Sequence, residues 1–421
     1  MCSIVIALAL ITFAPATASD VVATRLDGTA ITGELRSWGD QQVVIANVDG
    51  DQRLATDEFL SLEWKPAPTR QETNATSTSG QIELIDGSLI PIDEFSSSTK
   101  RATVTLAAPL PTDEKQLTLQ RKQLAAVRLQ PLAAGAAEQW REIRDMDLAS
   151  DVLVLLKRDG KSLDYIEGVL GDVSSSKIEF TLDGDPLRID RAKLAGFIYY
   201  RTQKEAAVEP RCIISSRSGL RVCVSQARLA DGLVQMTTAS GAVLKWPLQD
   251  IYSADFSAGK LLYLSDIEPA SERWTPLVGI PSGAELAAEY GQPRRNRSAY
   301  GGPLTLQFDA QAASPIDQTR SFHKGLALRS HTELAYRVPA GFRRFTTIAG
   351  IDPSTIASGN VRLEIYGDGR LLWEDDIAGQ ELPHTIELDI SGVKRLKFVV
   401  DYGRNLDTGD WLNLCDARIV K

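Results

Sequence analysis

Between residues 20 and 265 the chain alternates apolar and polar residues in short runs, and the runs return in the same order four times. The first pass leads from Val21-Val22 into Asp27-Gly28, continues through Ile31-Thr32-Gly33-Glu34-Leu35 and Val43-Val44-Ile45, and closes on "RLATDEFLSLEW" from Arg53. The second carries "IELIDGSLIPIDEF" from Ile82 and ends on "LTLQRKQLAAVRL" from Leu117. The third has "VLVLLKRDGKSLDYIEGVL" from Val152 and "LRIDRAKLAGFIYY" from Leu187, and the fourth has "IISSRSGLRVCVSQARL" from Ile213 and "LKWPLQDIYSADF" from Leu244. The turn glycines Gly28, Gly87, Gly160 and Gly219 are 59, 73 and 59 residues apart.

Period-two alternation between glycine-bearing turns is a hairpin signal, and a few short antiparallel strands bury a core best by curling into a barrel. The pattern predicts four small SH3-like β-barrels over 20–65, 80–132, 151–203 and 204–268, arranged as two pairs. The longer middle interval holds "AAGAAEQWREIRDMDL". Its Ala136, Trp140, Ile143 and Met146 recur at helical spacing, which predicts a helix within 133–150 lying on a barrel's flank. The stretch 66–79 is a Pro/Thr/Ser linker with an Asn74-Ala75-Thr76 sequon. None of the four copies repeats a charged or histidine position, so the repeats read as architecture or an interaction surface.

From about Pro276 the runs lengthen: "GLALRS", "LAYRV", "RFTTIAGI", "VRLEIYGDGRLLWEDD", "HTIELDI", "RLKFVVDYG" and "DARIVK". Eight or nine strands without helices predict an antiparallel sandwich over 276–421. The whole chain therefore reads as all-β with one linking helix.

Composition narrows the function. The 421 residues carry a formal charge of −9 and are 43% apolar, enough for two or three domains. The acidic balance argues against a nucleic-acid partner, because phosphate contacts need clustered Lys and Arg, and Arg294-Arg295-Asn296-Arg297 is short and isolated. The apolar run Ile4–Ala14, followed by Ala16-Thr17-Ala18, reads as a signal peptide over 1–19, although no basic residues precede it. No later run is long and apolar enough for a transmembrane helix. An exported chain, periplasmic or secreted, is expected. Export permits disulfides. Cys212 and Cys223 flank Arg217-Ser218-Gly219 and either face each other across a hairpin as a disulfide or are two small apolar residues on one hairpin face. Cys415, among Leu412, Leu414 and Ala417, reads as a buried free thiol.

The C-terminal blocks carry a resemblance. "FHKGLALRSHTELAYRV" from Phe322, "FRRFTTIAGID", "VRLEIYGDGRLLWED", "IELDISGVKRLKFVVDYG" and "LDTGDWLNLCDARIVK" resemble, in order, the NPCBM family, the novel putative carbohydrate-binding modules that accompany family 98 glycoside hydrolases. The repeats are similar to the N-terminal regions of exported planctomycete proteins that end in this module. The resemblance implies a galactose-binding-like β-sandwich (jelly roll), with galactose-type sugars as ligands and calcium nearby. It carries over to Gly325, His331, Tyr336, Gly350, Asp352, Asp368, Gly369, Asp389, Gly392, Asp407, Asp410, Asp416 and Ala417, most of them structural. The family's last block has a histidine between its aspartates, and Asp407-Thr408-Gly409-Asp410-Trp411 lacks it.

A sugar site needs an aromatic face and polar partners for hydroxyls. The candidates are His331, Trp373, Tyr402, Arg404, Asn405, Asp407, Asp410 and Trp411, concentrated between Asp401 and Asn413. Asp401, Asp407 and Asp410 are weak calcium candidates, since carboxylates suit a hard cation; the alternative is that Asp407 and Asp410 cap turns. His323 and His331 lack a third metal ligand, and Lys324-Gly325 breaks the strand between them. No catalytic motif stands out, and the charge run Glu374-Asp375-Asp376 reads as a solvated strand edge. The leading expectation is non-catalytic binding of a glycan or cell-envelope polysaccharide. An envelope-associated structural protein with protein partners comes second, and a glycoside hydrolase last.

Overall fold

The computed structural model describes residues 20–64, 80–201, 209–278, 290–308 and 319–421. The leader expected over 1–19 and the linker over 66–79 with its sequon lie outside the described residues. The chain forms two compact units, Met1–Ala258 and Gly259–Lys421.

In the first unit the alternation resolves into twenty strands of one hydrogen-bonded sheet system. The first repeat shows the plan. Its strands Asp20–Arg25, Ala30–Trp38, Gln42–Asn47 and Gly50–Ala55 pair in succession, and the fifth, Phe59–Trp64, returns to pair with the first. The repeats over 80–128, 151–198 and 212–255 pair in the same order. In each, the second strand shifts register against the third, between Leu35 and Ser37 in the first copy, and such a bulge bends the strand so that the sheet curls. The first turn of each copy needs a left-handed residue, supplied by Gly28, Gly87, Gly160 and Gly219 at φ of 85°, 82°, 66° and 94°.

The repeats are joined through their fifth strands. Ala126–Arg128 of the second pairs with Gly196–Ile198 of the third, and Ser61–Glu63 of the first pairs with Ser253–Asp255 of the fourth. Cross-links also tie the second copy to the fourth: Asp86 Oδ2 accepts from the Ser240 amide at 2.7 Å, and Ser88 Oγ accepts from the Cys223 amide at 2.9 Å. Apolar residues from all four copies consequently merge into one buried cluster, from Val21 to Phe256.

The helix forms over Ala134–Asp145 and seats Ala136, Ile143 and part of Trp140 on Val152, Val154, Ala195 and Ile198. Gly196 is required beneath it, because a β-carbon there would lie 2.1 Å from the Val127 carbonyl oxygen and 2.8 Å from the Trp140 ring. Met146 does not share that face; it caps the helix and is exposed.

The second unit is a two-sheet sandwich. One sheet runs Arg294–Arg295, Gly325–Arg329, Trp411–Val420, Arg344–Ile351, His384–Asp389, with Leu261–Tyr263 also paired to the last strand of the chain. The other runs Ser271–Trp274, Thr332–Arg337, Arg395–Tyr402, Asn360–Gly367, Arg370–Ala378. Alternate residues such as Leu363, Ile365, Leu396, Phe398 and Val400 meet Leu328, Phe345, Leu412 and Leu414 between them. The hairpin Leu304–Gln307 and Thr319–Phe322 covers the opposite face of the first sheet, burying Ala327, Trp411 and Cys415 in a second cluster. Two strands lie outside the 276–421 span read from sequence. Leu261–Tyr263, which looked like the tail of the fourth repeat, and Ser271–Trp274 both complete sandwich sheets.

The expected Cys212–Cys223 disulfide is corrected by register. Cys212 faces Val224, and Cys223 faces Ile213. A one-residue offset puts the two side chains on opposite faces of the ribbon. Neither cysteine is in a disulfide and both are buried, as is Cys415. Denaturing the oxidised protein without reductant and alkylating it should therefore label both Cys212 and Cys223 in the peptide map. A disulfide-linked peptide containing the two would contradict this register.

Candidate functional site

The segment Gly403–Asp410 leaves one sheet after Tyr402 and enters the other at Trp411, closing one end of the sandwich. Its shape is set by polar ties to the neighbouring loop. Asn360 Oδ1 accepts from the Arg404 amide at 2.8 Å, and Asn405 Nδ2 donates to the Ser358 carbonyl at 2.5 Å. Gly403 packs so tightly on Asn360 that a β-carbon would fall 2.0 Å from its Oδ1, and Gly409 supplies a φ of 74°.

Beneath this loop runs Arg329, the last residue of a strand buried at every position and itself only 8% exposed. A buried guanidinium must find partners. Arg329 Nη2 donates to the Asp407 carbonyl at 3.0 Å and to its Oδ2 at 3.2 Å, while the guanidinium lies over the Tyr290 ring, 4.8 Å from its centre. Beside it His331, joined to Ser330 by a cis peptide, stacks on Tyr402 with ring centres 5.4 Å apart and planes 28° apart. Both rings are half-buried, and Arg404 and Asn405, which follow Tyr402 in sequence, are exposed.

The structure thus gathers His331, Tyr402, Arg404, Asn405 and Asp407 around one loop, and places the other candidates differently. Asp410 is fully buried, its Oδ1 accepting from the Asn360 amide at 3.1 Å and its Oδ2 without a hydrogen-bond partner among the described residues. Burial pushes its carboxyl up to about 6, against the pull of the Asn360 amide and the Arg329 charge. Trp411 is 1% exposed and sits under Tyr290, so its face is closed to a ligand. Trp373 packs on the sandwich core and edge-on to His384. Its rung in the sheet lies four residues from that of Tyr402, about 13 Å along the strands.

The calcium candidates do not form a cation site. Asp401 Oδ1 accepts from the Tyr402 amide at 2.7 Å, Asp407 is matched by Arg329, and Asp410 is sunk below the loop. No three acidic, histidine or cysteine side chains gather as metal ligands among the described residues. A guanidinium already supplies the positive charge that a metal would bring, so the donor set does not fit calcium. His323 lies in the bend between Thr319–Phe322 and Gly325–Arg329, and His331 in the bend after Arg329 that leads into Thr332–Arg337, so a whole strand separates them.

Sequence reasoning missed Arg329, Tyr290 and Asn360. The signal for Arg329 was present: an arginine inside an otherwise apolar strand, "GLALR", needs a buried partner.

Chemically, the arrangement offers a half-open aromatic pair bordered by a guanidinium, an amide and a carboxylate. That combination suits a ligand with hydroxyls on one side and C–H groups on the other.

Residues 262–420 match the family model of the NPCBM/NEW2 domain. The comparison with curated proteins finds no match. Among solved structures, similar chains include the CBM51 of the Clostridium perfringens GH95 in complex with methyl-galactose, at 21% identity over 38% of this chain and 99% of that one, with a TM-score of 0.32. The CBM51-2 and INT domains of Clostridium perfringens ZmpB match at 19% identity over 50% of this chain and 40% of that one, TM-score 0.32. The tandem CBM51 modules of Sp3GH98, a family 98 glycoside hydrolase of Streptococcus pneumoniae, match at 14% over 64% and 88%, TM-score 0.31.

Two outcomes follow from the loop. Only the folded state holds the Asp410 proton between the ordinary aspartate value of 3.8 and about 6, so stability falls as pH rises through that window. The loss attributable to this group is up to about 3 kcal/mol. In urea unfolding from pH 4 to pH 7 the wild type should lose up to that amount relative to Asp410→Asn; parallel pH profiles of the two would refute the buried carboxyl. Treatment with EDTA should leave the thermal midpoint unchanged, whereas a drop restored by added calcium would place a structural cation in the unit.

Proposed function

We propose that the C-terminal unit is a carbohydrate-binding module acting without catalysis, and that its ligand sits on the loop Gly403–Asp410 against Tyr402 and His331. The observation that carries the reading is the match of 262–420 to a domain model named for carbohydrate binding, on a unit whose end loop presents a half-open aromatic pair among polar side chains. On this loop Asp410 is fully buried and Asp407 is tied to Arg329, so these two do not offer the pair of free carboxylates flanking a bond that glycoside hydrolysis needs. A galactose-type residue is the first ligand to try, because the family resemblance implies it. The substitution of Thr408-Gly409 for the family's histidine-containing spacing leaves Arg404, Asn405 and His331 to contact hydroxyls. Among the described residues no helix is long and apolar enough to cross a membrane, and export to the periplasm or medium is part of this proposal.

A glycan array probed with the whole protein, with and without EDTA, tests the reading. Binding of a galactose-bearing glycan is expected under both conditions. Tyr402→Ala should weaken it roughly tenfold, the scale of one lost aromatic contact. Trp373→Ala should leave affinity unchanged while lowering stability. No glycan bound under either condition would overturn the proposal.

A further inference from the structure

The N-terminal unit carries a feature that neither the sandwich nor the repeat architecture uses. The second repeat has a cleft of about 500 Å³ lined by Lys100, Arg101, Arg121, Lys122 and Arg201. No acidic side chain lines it among the described residues. Lys100 and Arg101 come from the tip between the repeat's second and third strands, Arg121 and Lys122 from the turn before its fifth strand, and Arg201 from just beyond the third repeat's fifth strand.

The fold does not require the charges of Lys100, Arg101 and Lys122. In the second repeat the Arg121 amide bonds the Lys100 carbonyl; in the other copies the same bond joins Thr56 to Gln41, Arg191 to Ser176, and Leu248 to Gly232. Those bonds align the four positions. Where the second repeat has Lys100, Arg101, Arg121 and Lys122, the first has Gln41, Gln42, Thr56 and Asp57, and the fourth has Gly232, Leu233, Leu248 and Gln249. The third keeps two cations, Lys177 and Arg191. The equivalent cleft of the first repeat is lined instead by Asp40, Gln41, Gln42, Arg53 and Glu58 among others.

The cleft's floor is held rigid. Arg121 donates to the Leu170 and Gly171 carbonyls and lies near Asp151, which offsets part of its charge. Arg201 donates to the Leu124 carbonyl at 2.6 Å and the Arg121 carbonyl at 3.0 Å, and both guanidinium groups lie over the Tyr199 ring at 5.0 and 5.4 Å. Lys100, Arg101, Lys122 and Arg201 are exposed, and Arg121 is half-buried. Several cations around one concavity concentrate positive potential there and favour a polyanion, with an affinity that falls as salt rises.

We propose that this cleft binds the carboxylate or sulfate groups of an acidic polysaccharide, making the N-terminal unit a second, charge-selective glycan contact. The choice of a polysaccharide over another polyanion rests on the carbohydrate reading of the C-terminal unit; the anion preference rests on the cleft alone.

The test uses the whole protein with polygalacturonate, heparin and neutral dextran at low and physiological ionic strength. Binding to polygalacturonate or heparin, absent for dextran and weakened by salt, is expected; binding to polygalacturonate assigns carboxylate recognition, and binding to heparin alone assigns sulfate, since heparin carries both groups. The variant Lys100→Glu/Arg101→Glu/Lys122→Glu should lose on the order of tenfold or more in affinity and show a shallower salt dependence. Lys100→Gln/Lys122→Gln should show an intermediate loss with an unchanged melting temperature. Neutral-glycan binding that depends on Tyr402 should survive both variants. Loss of that binding alone counts against the C-terminal reading and leaves the cleft standing. Equal affinity of wild type and variants for the acidic polymers, or tighter binding to a DNA oligonucleotide than to either polymer, would overturn the proposal.

Discussion

The strand Trp411–Val420 is buried on both of its faces, and most of the C-terminal unit is organised by that constraint. Leu412, Leu414, Ala417 and Ile419 look into the space between the sheets, while Trp411 and Cys415 look into the smaller cluster beneath the Leu304–Gln307 hairpin. A strand covered on both sides must keep its backbone fully paired, and this one pairs with Gly325–Arg329, Arg344–Ile351 and Leu261–Tyr263. Its neighbour Gly325–Arg329 is held so close that a β-carbon at Gly325 would lie 2.5 Å from the Leu414 carbonyl oxygen. Because the entry of the last strand is fixed this rigidly, the preceding loop has one path to follow. Arg329 then determines that path, since its buried guanidinium is satisfied only when Asp407 lies over it.

The N-terminal unit reaches stability by a different route. Five short strands enclose few side chains, and a domain of that size is marginal alone. The fifth-strand pairings and the ties from the second copy to the fourth let four small cores merge. The copies can therefore differ at exposed tips while their buried alternation is kept. That freedom is visible where Lys100 and Arg101 of one copy stand in the place of Gln41 and Gln42 of another.

Much of this was legible in the sequence, for a physical reason: period-two burial and left-handed turn glycines are local properties. Val21 and Ala23 are buried and Gly28, Gly87, Gly160 and Gly219 turn as their pattern implies. What was not legible depends on register and on distant partners. Cys212 and Cys223 look like a facing pair until the hairpin register shifts them to opposite faces. Trp373 and Trp411 look like sugar platforms, yet Trp373 lies on the core and Trp411 is covered by Tyr290, a residue more than a hundred positions away. Of the acidic residues, Asp407 and Asp410 share a loop in sequence but differ in surroundings: Asp407 reaches Arg329's guanidinium in an ion pair, whereas Asp410 is fully buried and burial pushes its carboxyl up. Sequence proximity drew these residues to one loop and could not rank their exposure within it.

Net charge was the least informative quantity. A formal charge of −9 argues against a nucleic-acid partner, but it averages over a surface far larger than the range of any one charge. At physiological ionic strength the Debye length is about 8 Å, so a ligand responds to the charges lining the concavity it enters and hardly to carboxylates beyond them. Residues 100–101, 121–122 and 201 are scattered along the chain, and no window of sequence shows them as a basic stretch. Strand pairing within the second repeat, and its union with the third, brings them together. The same folding that conceals Trp411 creates a positive cleft on an acidic protein, so the sign of a partner has to be argued cleft by cleft.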